Sequence, residues 1–426
     1  GASRAKVLHL VRPAAGGLRD HVLNLCSRLA RDDYDVMAAG ALGPELRRAL
    51  TNAEVRWANV GFPEDLRLKS NTAAADTFAR LFSSQKPDVV HAHGYHAAFL
   101  AALAVRRATP RPRLVFTAHT LPFTGAGRTI ARLAHWLACR RTVAAADRVI
   151  TVSDAVRAAL QRAVGAAGSK CVTVHNGINP DVYRASTDYD VQKEELGLHP
   201  SAVVVGVIAR LSPEKGVDVF IRAAELISEK VPNVEFLIVG DGPDRQRLEA
   251  LAHAHHVLGN TVFAGARRDI PAVLSVVDVL AIPSRSEAFS LAALEGLAAG
   301  VPVVASDVGG IPEVLDGAPH AWLVPPEDPL ALGQKVMDVL SELPEDEEEG
   351  GAKPSEMMVG PDGKPVRFLV SERAYDLSEE DDWIRERPEA PAEEIPPGLA
   401  YVQERFSLDR MVERTEAVYE QVLGDG

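Results

Sequence analysis

Cysteine is scarce. Cys26, Cys139 and Cys171 are three among 426 residues, and their spacing makes no metal or redox motif. An odd, sparse set of this kind fits a cytosolic protein. Long apolar runs are also missing, so no stretch is expected to span a membrane. The opening GASRAKVLHLV meets Arg12 too soon to read as a signal peptide. Positive charge is in deficit: 46 Lys+Arg stand against 59 Asp+Glu, a net charge of -13. That balance argues against a nucleic-acid partner. The acidity is local, because residues 341–400 hold 18 Asp+Glu and 6 Lys+Arg. The rest of the chain is nearly neutral, and the expected location is cytoplasmic.

What the chain does have is an ordinary soluble composition, 46% hydrophobic and 25% charged, at a length that favours two large domains. Short apolar runs alternate with helical patterns. Lys6–Val11, Asp35–Ala39, Asp88–His91, Leu114–Ala118 and Arg148–Val152 read as buried parallel strands, with helices such as His21–Ala30 and Ala97–Arg107 between them. The pattern pauses at HNGINPDVYRASTDYD, where Asn-Gly and Asn-Pro break regular structure. It resumes at Val203–Ala209, Val234–Val239, Val262–Ala264, Val279–Ile282, Val303–Ala305 and Trp322–Val324. The expected fold class is α/β, with two Rossmann-like doubly wound domains at 1–182 and 183–340. An acidic insertion follows at 341–400, containing a hairpin at MMVGPDGKPVRFLV. The remainder, 401–426, carries a last helix from about Leu408, expected to pack back on the first domain.

Ligands of such sheets bind beyond the carboxyl ends of the strands. The polar residues of interest fall there: Gly16 and Gly17 after the first run, His119 after LVFTA, Arg210 and Lys215 after Val203–Ala209, and Glu287 after Val279–Ile282. Glu295 is the only ionisable residue from Ala288 to Ser306, and a carboxylate in so apolar a run needs hydrogen-bonding partners. Glu287 and Glu295 therefore point to a site that grips a hydroxyl-rich ligand. Arg210 and Lys215, beside a helix opening near Gly216, suit a diphosphate.

PSRSEAFSLAALEGLAAGVPVVASDVGGIPEVL, RLSPEKG, VGDGP and VHNGI all fall between Val174 and Leu315. Together they resemble the retaining GT-B glycosyltransferases of family 4, which include bacterial mannosyltransferases, sucrose-phosphate synthases and capsule and exopolysaccharide transferases. The resemblance runs from Lys6 to about Leu340, skips the acidic insertion and resumes at YVQERFSLDRMVERTEAVYEQV. It implies two domains facing a cleft. It also implies transfer of a hexosyl group from a nucleotide diphosphate sugar, UDP-linked first and GDP-linked second, to a hydroxyl acceptor. That acceptor would be a sugar, a metabolite or a lipid-linked molecule, as in cell-envelope polysaccharide or glycolipid synthesis.

The resemblance also implies roles. Arg210 and Lys215 would contact the diphosphate, and Gly16 and Gly17 would face it from the other domain. Glu295 would accept hydrogen bonds from the ribose. Glu287, with the backbone of Ala288, Phe289, Ser290 and Leu291, would hold the donor sugar. His119 would lie beside the reacting carbon. The family usually has Gly-Phe-Gly where this chain has Ala288, Phe289 and Ser290, and Ala288 tolerates positive φ poorly. No cofactor beyond the donor substrate is expected. No metal is expected either, since no DxD-type motif sits at a strand end; Glu380-Asp381-Asp382 belongs to the insertion. His91 and His93 have a spacing that suits a metal, but the sequence offers no evident third ligand. Ser153 and Asn176 are secondary pocket candidates, and Glu313 opens a helix that it caps or that serves the site. Two further readings remain: a nonhydrolysing sugar-nucleotide epimerase, which shares the architecture, and a carbohydrate-binding protein without catalysis.

Arg128, Arg132, Arg140 and Arg141 punctuate TGAGRTIARLAHWLACRRTV, with Ile130, Leu133, Trp136 and Leu137 at helical spacing. One reading packs this helix on its sheet. The other gives peripheral contact with an anionic membrane.

Overall fold

The computed structural model describes residues 4–12, 17–31, 34–63, 68–121, 129–184, 189–343 and 395–424. These divide into two compact units. The first takes the chain up to Gly177 and again from Leu408, and the second runs from Ile178 to Ser407. Residues 344–394, including the expected hairpin, lie outside the described residues.

The first unit is built on seven parallel strands, in the order β3-β2-β1-β4-β5-β6-β7. They are β1 (Ala5–Val11), β2 (Tyr34–Gly40), β3 (Arg56–Asn59), β4 (Val89–His93), β5 (Arg113–Ala118), β6 (Arg148–Thr151) and β7 (Cys171–Thr173). The central strands are largely apolar because helices cover both faces of a parallel sheet, with His9, His91 and His93 as buried exceptions. In β4 all five residues are buried. The edge strands β3 and β7 were not expected from the sequence. RWAN in β3 is mostly exposed, and CVT in β7 is only three residues long, so neither carries an apolar run.

The second unit has six parallel strands, in the order β10-β9-β8-β11-β12-β13. They are β8 (Val203–Ile208), β9 (Val234–Val239), β10 (Thr261–Gly265), β11 (Val279–Ile282), β12 (Val303–Ser306) and β13 (Ala321–Val324). Its core gathers Val205, Phe220, Phe236, Val279 and Val304, among others.

Each sheet reverses its strand order once, between β1 and β4 in the first unit and between β8 and β11 in the second. Such a reversal opens a crevice at the strand ends, where α/β proteins bind ligands. β1 and β4 are hydrogen-bonded neighbours with His9 opposite His91 and Val11 opposite His93.

The C-terminal stretch is two helices. Pro397–Phe406 belongs to the second unit, where the Tyr401 hydroxyl donates to the carbonyl of Val314 at 2.8 Å. Its first residues, Pro397–Ala400, fall within the span 341–400 expected for the acidic insertion. Leu408–Gly424 belongs to the first unit, and its Met411, Val412, Val418, Tyr419 and Val422 are buried in that unit's core.

Candidate functional site

In the second unit, the loop after β8 and the loop after β11 are tied to each other. The carbonyl of Glu214 accepts from the backbone N–H of Arg285 at 2.8 Å and of Ser286 at 3.3 Å. Arg285 reaches back to the Pro213 carbonyl at 2.8 Å, grips both carboxylate oxygens of Asp218 at 2.8 Å, and meets Glu327 at 2.8 Å. That fork holds the Asp218 carboxyl below its ordinary range, the Arg285 hydrogen bonds being the largest cause. Gly216 makes the close approach feasible. Its φ is +64, and a Cβ there would fall 1.9 Å from the Pro283 carbonyl oxygen.

The brace brings Lys215 to Glu287: Nζ donates to Oε2 at 2.6 Å. The Ser284 hydroxyl donates to the same oxygen at 3.3 Å. The backbone of Glu287 is fixed as well, since its carbonyl accepts from Gly310 N–H at 3.0 Å. Gly309, at φ +56, passes so close that a Cβ would lie 1.8 Å from that carbonyl oxygen. Ser212 donates to Glu214 at 2.6 Å. Burial raises the Glu214 pKa, but the Ser212 hydroxyl, a backbone N–H and the nearby Arg210 and Lys215 charges together bring it below the usual value. Arg210 is exposed on the same loop.

The departure from Gly-Phe-Gly has a simple local basis. Ala288 does not adopt positive φ. Ser290 caps the helix Leu291–Ala298, its hydroxyl accepting from the Ala293 N–H at 3.3 Å. Phe289 is buried, with its ring 5.8 Å from that of Phe406. Glu295, one turn into the helix, is half-buried rather than enclosed, and Leu291 is likewise half-buried. Glu313 lies in the first turn of the short helix Ile311–Leu315.

In the first unit, the strand reversal collects five imidazoles. Nδ1 of His9 lies 3.0 Å from Nε2 of His93, and Nδ1 of His93 lies 3.1 Å from Nε2 of His119. His21, from the helix Gly17–Arg31, stands edge-on to His119 at 4.7 Å between centroids. His91 is committed elsewhere: Nδ1 meets the Tyr419 hydroxyl at 2.6 Å and Nε2 meets that of Thr117 at 2.6 Å. Burial disfavours the charged ring throughout, pushing His9 down to about 3 and His21 to about 4, and holding His91, His93 and His119 well below the ordinary value.

The missing third imidazole is therefore present. His9, His91 and His93 bring ring nitrogens within 4.8 Å of one another, and so do His21, His93 and His119. Sequence reading did not see this because His9 and His21 come from β1 and its following helix, far from VVHAHG. Both nitrogens of His91 and both of His93 are already hydrogen-bonded, so each group contains a ring with no free nitrogen. His9 Nε2 and His21 Nε2 are buried without a partner among the described residues.

Of the remaining candidates, Ser153 is buried and caps the helix Asp154–Val164 through a 3.1 Å bond from Val156 N–H, a structural role. Asn176 keeps a buried Oδ1 without a partner among the described residues. Gly17 opens its helix, while Gly16 lies outside the described residues. Arg128 also lies outside them. In the helix Thr129–Ala145, Leu133 is 56% exposed and Leu137 40% exposed, whereas Cys139 and Val143 face inward. Trp136 is half-buried, donating to the Ala163 carbonyl at 2.6 Å, with the Arg140 guanidinium 5.5 Å from its ring. No described helix is long and apolar enough to cross a membrane.

Two family models match this chain: Glycosyltransferase Family 4 over residues 15–182 and Glycosyl transferases group 1 over residues 188–351. A D-inositol 3-phosphate glycosyltransferase of Mycobacterium marinum is 32% identical over 333 residues, covering 71% of this chain and 69% of the relative. One from Streptomyces avermitilis is 28% identical over 354 residues, covering 76% and 75%. Among solved structures, Anabaena HepE in complex with UDP-glucose superposes with a TM-score of 0.74 at 19% identity, covering 98% of this chain and 99% of that one. These likenesses and the two parallel sheets define a two-domain α/β glycosyltransferase of the GT-B fold. The chain belongs to glycosyltransferase family 4.

Proposed function

We propose that this enzyme transfers a hexosyl group from a nucleotide diphosphate sugar to a hydroxyl acceptor with retention of anomeric configuration and without a metal ion. The observation that carries the reading is the Lys215–Glu287 contact at 2.6 Å on two loops flanking the strand reversal. One loop offers cations to a diphosphate, and the other offers a carboxylate to sugar hydroxyls. UDP-sugars are the first choice of donor, supported by the UDP-glucose in HepE, and GDP-sugars the second.

In the proposed step, the bond between the anomeric carbon and the diphosphate oxygen breaks as the acceptor oxygen bonds to that carbon from the same face. Negative charge grows on the leaving diphosphate, so Arg210 and Lys215 stabilise the transition state more than the ground state. The departing phosphate oxygen takes the acceptor proton. Glu287 orients the donor sugar, Glu295 holds the ribose, and His119 lies beside the reacting carbon. The names of the relatives make a phosphorylated inositol one acceptor to try, alongside sugars and lipid-linked molecules. The exposed Leu133 and Leu137 beside Arg140 support a working position at the inner face of an anionic membrane.

A screen of nucleotide sugars against these acceptors, read by product mass, tests the proposal. A product heavier by one hexosyl unit, with release of nucleoside diphosphate, supports it. Interconversion of sugar nucleotides without an acceptor would instead indicate an epimerase. Donor binding with neither outcome would indicate a binding protein.

A further inference from the structure

A neutral imidazole carries one N–H and one lone pair, so imidazoles hydrogen-bonded end to end form a string with a direction. His9, His93 and His119 make such a string, with contacts of 3.0 and 3.1 Å. Only two neutral arrangements satisfy both contacts. Either every ring carries its proton on Nδ1, or every ring carries it on Nε2. Any mixture sets two protons or two lone pairs against each other at about 3 Å. Enclosure keeps the rings neutral, since the pKa of each lies far below its ordinary value.

The inner end of the string decides between the two. Nε2 of His9 is buried and has no partner among the described residues. A proton there would be an orphaned donor, which folded proteins avoid more strictly than an orphaned acceptor. At the other end His119 is half-buried, and its Nδ1 has no protein partner among the described residues. We propose that His9, His93 and His119 all carry their protons on Nδ1, and that His9 and His93 are positioning residues that hold His119 as a neutral Nδ1–H donor. His119 then offers a proton, not a lone pair, to the ligand. It donates a hydrogen bond to a sugar oxygen and cannot act as the base for the acceptor. His91 stands outside the string because its nitrogens are taken by Tyr419 and Thr117. His21 touches the His119 ring without a hydrogen bond.

This assignment of the ligand contact rests on the function proposed above, but the tautomers do not, and the test separates them. Long-range proton–nitrogen correlation spectra of 15N-histidine-labelled protein report the tautomer of each ring. The wild type is expected to show a protonated Nδ1 on His9, His93 and His119. His93→Phe removes the donor to His119. It should release His119 to a different tautomer or a mixture and lower kcat by about 10²-fold, with the donor KM little changed. His93→Asn supplies an amide N–H in place of Nδ1–H, and should restore the His119 tautomer and most of kcat. A proton on Nε2 of any of the three rings in the wild type overturns the proposal, whatever the activity. So does stoichiometric zinc in the purified protein with metal-shifted nitrogens in the string. Wild-type kcat in His93→Phe despite a changed His119 tautomer overturns the positioning role. Wild-type kcat in His119→Ala, with the expected tautomers intact, overturns the catalytic reading of His119 and not the string.

Discussion

Lys215 Nζ and Glu287 Oε2 lie 2.6 Å apart although 72 residues separate them in sequence. Their side chains are 26% and 12% exposed, so the pair is partly shielded from water and yet open to a ligand. An ammonium held here loses little in reorganising towards a phosphate, because the brace of Arg285 on Asp218 already fixes both loops. Lys215→Ala should cost about 2–4 kcal/mol in kcat/KM, the scale of a lost oxyanion partner. Steady-state kinetics checks this, and a wild-type kcat/KM would remove Lys215 from the site.

If cations replace a metal at the diphosphate, exhaustive EDTA treatment should leave activity intact. Loss of activity that Mg²⁺ or Mn²⁺ alone restores would contradict the proposed clamp.

The buried histidines link stability to acid. Their folded pKa values lie below the ordinary 6.5, with His9 at about 3 and His21 at about 4. Between those values and 6.5 the unfolded chain binds protons that the folded chain refuses. Stability is therefore fully present above about pH 6.5 and falls as pH drops towards 4, by up to about 1.4 kcal/mol per pH unit for each such ring. Urea denaturation at pH 7.5, 6 and 5 measures the slope. A flat profile over that range would mean the rings are not enclosed as described. Asp218, with its pKa lowered, adds its own loss only at lower pH.

Helix Thr129–Ala145 presents Leu133 and Leu137 outward, with Arg140 and Arg141 also exposed. Binding to anionic vesicles at low salt is expected, each Arg near the surface contributing roughly 1 kcal/mol. Charge reversal at Arg140 and Arg141 should weaken co-sedimentation, and high salt should abolish it. No sedimentation at low salt would point to a soluble acceptor.

The central strands of the second unit were legible because burial on both faces writes them as unbroken apolar runs, as in VVVGVI and VLAI. The edge strands RWAN and CVT were not, because an edge half in water needs no such run. Lys215 and Glu287 could be singled out from motif order, and the structure brings them together. What linear reading could not supply was register. Nothing local in VLHLV says that His9 lies opposite His91, and nothing in GGLRDHV brings His21 to His119. The Arg285–Asp218 fork was hidden for the same reason, one end lying on the loop after β11 and the other in the first turn of the helix Val217–Ser228.

Anomeric configuration is the most direct test of the proposed chemistry. With UDP-glucose, or whichever nucleotide sugar the screen selects, the product's anomeric proton coupling is read by NMR during the first turnovers. The account requires an α-linked product from an α-linked donor. A β-linked product would mean attack from the opposite face, and would contradict the proposal that the departing diphosphate takes the acceptor's proton.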